Sequence, residues 1–273
     1  MTTKKQIRVA RGLINSQKQK EKFPTIMQKV TEMSDIIIEV LDARFPKETR
    51  NLEIEEMLKK RGKKIIYALN KSDLINQKPV IGLYPNVFVS CKNRTGIKRL
   101  RDRIKIEANN IGKTSGKSDR INVGVIGYPN TGKSSLINLL IGKSSAKTGA
   151  EAGFTKGIQK LRLTPNIVLL DSPGVIPEKE YSSIDSEAIS KHAKVGARTY
   201  DKVRDPEMVI TNLIKEYAGI IEKYYNIEAK EDIEIFLEEL GKKKNYLKKG
   251  GEIDTDRTAR TILKDWQEGK IRI

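Results

Sequence analysis

Cysteine, histidine and long apolar runs are scarce in this 273-residue chain, and acidic residues are outnumbered by basic ones. Asp and Glu number 35 against 53 Lys and Arg, a formal net charge of +18 at pH 7. A surface this basic is expected to face nucleic acid or an anionic membrane. No apolar run approaches the roughly 20 residues of a membrane-spanning helix, and Met1-Thr2-Thr3-Lys4-Lys5 has no apolar core of a secretory signal behind it. Nucleic acid is therefore the expected partner. Cys91 stands alone, which excludes a disulfide within the chain and makes a reducing cytoplasm the expected compartment. The single histidine, His192, is expected on an exposed helix face rather than in catalysis.

What is present is a phosphate-binding signature. Ile121-Asn122-Val123-Gly124-Val125-Ile126 is a short β-branched run of the kind that buried parallel strands carry. It leads into Gly127-Tyr128-Pro129-Asn130-Thr131-Gly132-Lys133-Ser134, then into Leu136, Ile137, Leu139 and Leu140 at helical spacing. Gly-x-x-x-x-Gly-Lys-Ser between a strand and a helix is a Walker A loop. Its glycines let the backbone N–H groups from Asn130, Thr131 and Gly132 to Ser135 curl around a β-phosphate, and the helix N-terminus adds its positive end. Lys133 is expected to reach the β- and γ-phosphates as a catalytic group, and the Ser134 hydroxyl to ligate Mg²⁺.

That loop does not choose between ATP and GTP, but Asn70-Lys71-Ser72-Asp73 does. It follows the strand-like Lys64-Ile65-Ile66-Tyr67-Ala68-Leu69, at the carboxyl end where open α/β sheets bind ligands. An aspartate at position 73 can accept from both the ring N–H and the exocyclic amine of guanine, a pair that adenine lacks. Lys71 would lay its methylenes over the base, and Asn70 would tie this loop to the phosphate loop. Ser90-Cys91-Lys92, after the strand-like Asn86-Val87-Phe88-Val89, fits a second base loop whose N–H meets the guanine O6. GTP is the expected ligand.

Two further pieces complete the expected site. Leu161-Arg162-Leu163 and Ile167-Val168-Leu169-Leu170 form a hairpin pattern around Pro165-Asn166, ending in Asp171-Ser172-Pro173-Gly174. Asp171 is expected to hold Mg²⁺ through water, and the Gly174 N–H to sense the γ-phosphate. Between phosphate loop and hairpin, the small-residue stretch Gly149 to Gly157 offers Thr155 as a further Mg²⁺ ligand and catalytic group.

The order of these motifs is itself informative. The base motif precedes the phosphate loop, whereas an ordinary guanine-nucleotide-binding domain has the reverse. The pattern predicts a strand over Ile36–Leu41, a helix over about Asn51–Arg61, then strand, base motif, helix, strand, second base loop and a helix over Gly96–Ala108. Gly112-Lys113-Thr114-Ser115-Gly116-Lys117-Ser118 reads as a flexible linker across the old termini. The fold class is thus α/β, a doubly wound, mostly parallel P-loop domain in circularly permuted order over about 31–204. A basic arm (1–30) precedes it and a small all-α domain (205–273) follows. In that last unit Val209, Ile210, Leu213, Ile214 and Tyr217 form one apolar stripe, and Ile233, Phe236, Leu237 and Leu240 another that ends at Gly241. Asp254 or Thr255 caps a final helix with Ala259, Ile262, Leu263 and Trp266 inward and Arg257, Arg260 and Lys264 outward.

Together with the permuted order, Asp42-Ala43-Arg44-Phe45-Pro46 and Lys249-Gly250-Gly251-Glu252-Ile253-Asp254 make the chain resemble the circularly permuted ribosome-assembly GTPases of the YlqF/YawG type. The resemblance implies GTP/GDP and Mg²⁺ binding, slow hydrolysis to GDP and phosphate, and action on precursors of the large ribosomal subunit and its rRNA; a monomer is expected. The bacterial members' Phe-Pro-Gly-His-Met element reads Phe23-Pro24-Thr25-Ile26-Met27 here, so no role of that histidine carries over. Asn130 resembles the asparagine that ligates K⁺ in cation-activated G proteins, and Val175 stands where Ras-like proteins place a water-orienting glutamine. Lys4, Lys5, Arg8 and Arg11 in the arm, and Lys92 to Lys105 along one helix, are candidate rRNA contacts or simply solvated faces. Two other functions stay open: a GTPase of another RNA or translation process, and an RNA-binding protein using GTP structurally.

Overall fold

The computed structural model describes residues 27–76, 82–115, 120–142, 158–174, 176, 186–228 and 232–273. Thr155, Val175, Gly116 to Ser118 and most of the basic arm lie outside the described residues.

Six strands make one sheet: β1 (Ile36–Asp42), β2 (Lys64–Asn70), β3 (Asn86–Phe88), β4 (Ile121–Ile126), β5 (Gln159–Thr164) and β6 (Ile167–Asp171). Their spatial order is β3-β2-β1-β4-β6-β5. Every neighbouring pair is parallel except the β5–β6 hairpin. Chain order runs outward from β1 to one edge and then restarts at β4, next to β1, which is the signature of the permutation. Every residue of β1 is buried, as a central parallel strand covered on both faces must be. Ile36, Ile38 and Val40 face one cluster, while Ile37 and Leu41 face the other, the two-residue period of a pleated strand.

The first cluster is closed by α3 (Ile97–Ser115) and α4 (Lys133–Ile141). The second lies under α1 (residues 27–33) and α2 (Leu52–Lys60), the latter capped by Asn51, whose side chain accepts from the Ile54 N–H. Helix α1 approaches β4 so closely that a methyl group on Gly124 would overlap the Ser34 hydroxyl. The expected linker is corrected in part. Helix α3 continues through Gly112 to Ser115 because Ile111 prolongs the apolar stripe of Ile97, Leu100, Ile104 and Ala108. Where a helix was expected after the base motif, the described residues up to Asn76 hold a 3₁₀ turn, Ser72–Leu74, that begins inside the motif.

One buried carboxylate in this layer carries a pH prediction. Glu39, in mid-β1, has no exposure; its Oε1 accepts from the Asn51 N–H at 2.7 Å, while Oε2 accepts no hydrogen bond among the described residues. Burial pushes its carboxyl up to about 8, against the Asn51 bond and with the help of neighbouring Glu55. Glu55 itself is held by Arg50, with both contacts at 2.7 Å. An unfolded glutamate loses its proton near pH ~4.3, so the folded chain holds the extra proton between that value and about 8. Stability from this group is therefore complete below pH ~4 and falls as pH rises through the window. Glu39→Gln should flatten the decline, changing the pH 5 to pH 8.5 difference in unfolding free energy by on the order of 2–4 kcal/mol. Urea titrations at the two pH values decide it; parallel profiles for variant and wild type would refute it.

The remaining helices are α5 (Ser186–Lys194), α6 (Pro206–Glu216), α7 (Ile220–Tyr225), α8 (Ile233–Lys244) and α9 (Thr255–Gln267). Their apolar cluster centres on Trp266, Phe236, Ile262 and Leu263, reaches back to Ala193 and Val195, and takes in Phe45 and Tyr128 from the loops of the sheet. Trp266 is fully buried, as its place on the inward stripe requires. Several expectations change here. His192 is buried, not exposed. Helix α8 runs through Gly241 to Lys244 and ends at left-handed Asn245. Gly241 serves packing instead, since a methyl group there would overlap Ile253. The outward basic stripe of α9 is not simply solvated. Arg260 pairs with Asp256 and donates to the Tyr200 and Val203 carbonyls, and Arg257 lies 4.3 Å over the Tyr246 ring.

Candidate functional site

The carboxyl ends of β4, β1, β2 and β6 deliver the phosphate loop, Asp42, Asn70 and Asp171 to the same edge of the sheet. This is the crevice where open α/β sheets take ligands. Asn70 joins the loops: its Nδ2 donates to the Thr131 carbonyl at 2.7 Å, and its Oδ1 accepts from the Cys91 N–H at 3.1 Å. Gly132, at φ 93°, has to lack a side chain, because a methyl group would overlap the Asn70 amide. Asp73 lies in the 3₁₀ turn after left-handed Lys71, and the Ser90 hydroxyl donates to its Oδ1. Ser90 thus aims the carboxylate, leaving its other oxygen and a second lone pair of Oδ1 for a ligand. Burial pushes the Cys91 thiol up to about 11, which suits a backbone contact and not a reactive thiol. Lys92 is exposed beside it.

In the phosphate loop, the Lys133 ammonium donates to the Gly127 and Tyr128 carbonyls at 3.0 and 2.8 Å. Burial pushes it down to about 8, against the attraction of Asp171. Gly127 lies against β1, where a methyl group would overlap the Val40 carbonyl. Asn130 is left-handed, at φ 60°, and its Nδ2 donates to the Gly196 carbonyl at 2.7 Å. The oxygen that a cation would use takes no part in that bond. Ser135 follows Ser134 in the first turn of α4.

Ser134 Oγ donates to Asp171 Oδ2 at 3.3 Å. The buried Asp171 Oδ1 accepts no hydrogen bond among the described residues, and burial pushes this carboxyl up against the pull of Lys133 and Ser134. A hydroxyl and an under-solvated carboxylate oxygen beside a phosphate loop fit Mg²⁺, which keeps most of its waters and takes few protein oxygens. No cluster of three or more His, Cys, Asp or Glu able to hold a metal occurs among the described residues. Gly174 abuts the loop, with a methyl group there placed 2.8 Å from Pro129 Cα and 3.0 Å from Lys133 Nζ. The fold thus gathers Asn70, Lys71, Asp73, Ser90, Cys91, Asn130 to Ser135, Asp171 and Gly174 at one edge.

Sequence reasoning gave Asp42 and Arg44 no role, yet they are central. Asp42 has no exposure and takes Lys71 Nζ and Arg44 Nη2 on the same oxygen, each at 2.8 Å. Its only sequence signal was the Asp-Ala-Arg-x-Pro signature itself. Tyr128, read as a variable loop position, is fully buried against the C-terminal helices.

Residues 122–245 match the family model described as 50S ribosome-binding GTPase. The chain is 44% identical over 256 residues to the uncharacterized GTP-binding protein MJ1464 of Methanocaldococcus jannaschii, a match covering 90% of this chain and 65% of that protein. It is 34% identical over 278 residues to nucleolar GTP-binding protein 2 of Saccharomyces cerevisiae, covering 96% and 54%. The chain therefore spans between about half and two thirds of the length of these relatives. Among solved structures, GNP-bound YlqF from T. maritima has the same fold, with a TM-score of 0.62 over 92% of this chain and 95% of that one at 22% identity. With base motif before phosphate loop and a sheet wound to match, the chain is a P-loop GTPase in circularly permuted order, similar in fold to YlqF and in sequence to these GTP-binding relatives.

Proposed function

We propose that this protein binds GTP, hydrolyses it to GDP and phosphate, and uses its nucleotide state to switch its grip on the rRNA of a large-subunit precursor. The observation that carries this reading is the joining of base loop and phosphate loop through Asn70 and Thr131, with Lys133, Ser134 and Asp171 poised around the phosphate position. Lys133 and Asp171 are opposite charges left under-solvated by burial, and a triphosphate would stabilise the charge of the first. Mg²⁺, held by Ser134, by Asp171 through water and by Thr155, would neutralise charge on the β- and γ-oxygens. Asn130 is the proposed K⁺ ligand through its Oδ1. With Val175 after Gly174, the chain lacks a water-orienting glutamine at that position, so turnover alone should be slow.

The large-subunit assignment rests on these similarities and on charge. Lys92, Arg94, Lys98, Arg99 and Lys105 are exposed along and before α3, a stripe able to meet RNA phosphates. Arg101 and Arg103 are removed from that stripe, the first by the Leu140 carbonyl and the second by Glu107. The test measures GTP turnover in K⁺ and in Na⁺, with and without purified large subunits. K⁺ together with subunits should raise the rate by about 10³-fold or less, the lower end of what an arginine finger supplies. Fast turnover in Na⁺ without subunits would overturn the mechanism. Subunit binding that ignores nucleotide would favour the structural use of GTP.

A further inference from the structure

We propose that Asp42 is a positioning residue of the guanine pocket, fixing Lys71 over the base and tying that position, through Arg44, to helix α9. The proposal rests on the assignment of Asn70-Lys71-Ser72-Asp73 as the base loop. Asp42 closes β1 opposite Asn70 in the parallel register. Its Oδ2 accepts from Lys71 Nζ and Arg44 Nη2 at 2.8 Å each, and its Oδ1 from Arg44 Nε at 3.0 Å and the Arg44 N–H at 3.1 Å. Arg44, its side chain 1% exposed, spends its remaining fork on the Trp266 carbonyl at 2.9 Å. A single buried carboxylate is thus shared between the residue meant to cover guanine and the last turn of α9.

A lysine has four rotatable side-chain bonds, and freezing them over a base costs entropy at the moment of binding. An ammonium already anchored has lost that freedom. Lys71 also cannot swing away cheaply, because its departure leaves a fully buried carboxylate with one cation fewer. Burial works against the Asp42 charge, yet Lys71 and Arg44 hold its carboxyl well below the ordinary range.

A second contact runs to the same loop from the same direction. The Leu74 carbonyl accepts from the Ile273 N–H at 3.2 Å, and the Asn76 N–H donates to the Ile273 carbonyl at 3.1 Å. Gly269 lies so close to Leu74 that a methyl group there would stand 2.5 Å from its Cδ1. The segment after α9 therefore braces the turn that carries Asp73. None of these contacts involves the position of a γ-phosphate. Base occupancy alone should then reach the C-terminal helices, whatever the number of phosphates.

Trp266 supplies the readout, because it is the only tryptophan of the chain and stacks on Phe45 with centroids 5.9 Å apart. Its emission should change on saturation with GDP as well as with a GTP analogue. Lys71→Met should abolish the change at saturating GDP while binding persists. A change seen only with the γ-phosphate, or one intact in Lys71→Met, would overturn the coupling. The positioning role is read from a double-mutant cycle on GDP affinity. Asp42→Asn should weaken GDP about tenfold, as expected for a charge-assisted contact, in wild type but hardly at all in Lys71→Met. Equal losses in both backgrounds would make Asp42 a support of the fold only. Should Asp42→Asn not fold, the emission measurements decide alone. Unchanged GDP affinity in Asp73→Asn would instead remove the base-loop assignment, and the proposal with it.

Discussion

Asp73→Asn is expected to lower the affinity for GTP and GDP by about two orders of magnitude and to raise that for xanthine nucleotides. In the proposed base loop the carboxylate would accept from two guanine donors, one of them on the oxygen it shares with Ser90. Two such charge-assisted bonds contribute about 3 kcal/mol or more, which is roughly a factor of 100 in Kd. Ser90 matters to the size of this effect, since its hydroxyl holds Asp73 Oδ1 and is itself fixed by the Asn93 N–H at 3.0 Å. An asparagine keeps the shape but presents an amide that repels the guanine amine and accommodates the C2 carbonyl of xanthine. Calorimetric titration with GDP and XDP measures both arms. Equal GDP affinity in mutant and wild type would sink the assignment of the base loop.

Trp266→Ala is expected to destabilise the protein by about 3–5 kcal/mol, the range for deleting a large buried aromatic. Ring packing and a hydrogen bond are lost together. The ring packs on Phe45 at 5.9 Å and Tyr217 at 4.9 Å. The indole N–H donates to the Lys194 carbonyl at 3.0 Å, and the cavity would open beside Lys194, whose ammonium pairs with Glu48 and Glu216. Trp266→Phe keeps most of the packing and removes the hydrogen bond, so it should cost closer to 1–3 kcal/mol for the carbonyl left unpaired. Urea unfolding followed by far-UV circular dichroism gives both values. Losses under 1 kcal/mol in Trp266→Ala would mean that the site collapses around the gap and that the cluster does not hinge on this ring.

Local features of the sequence reach far in this chain. The β-branched runs at Ile36 and Ile121 are strands because a parallel strand covered on both faces needs apolar side chains on both. The motif order determines the permutation, and the Pro165-Asn166 turn sets the β5–β6 hairpin. Where the reading failed, a distant partner overruled a local signal. Gly112 looked like a linker and is helical because Ile111 still meets the core. Gly241 looked like a helix stop and is a point of close approach to Ile253. His192 looked exposed, and the packing of the C-terminal helices buries it.

The sequence by itself determined the strands of the sheet and the loops proposed for phosphate and guanine, because strand period, glycine placement and motif spacing act within a few residues. Only the tertiary structure decided how those loops are braced. Arg44 meets the Trp266 carbonyl across 222 positions of sequence, Asn130 meets Gly196 across 66, and Leu74 meets Ile273 at the far end of the numbering. No periodicity links such residues. They come together because Phe45, Tyr128 and Trp266 share one apolar cluster, and burying that cluster brings the polar groups beside it within hydrogen-bonding distance, where leaving them unpaired would cost the fold dearly.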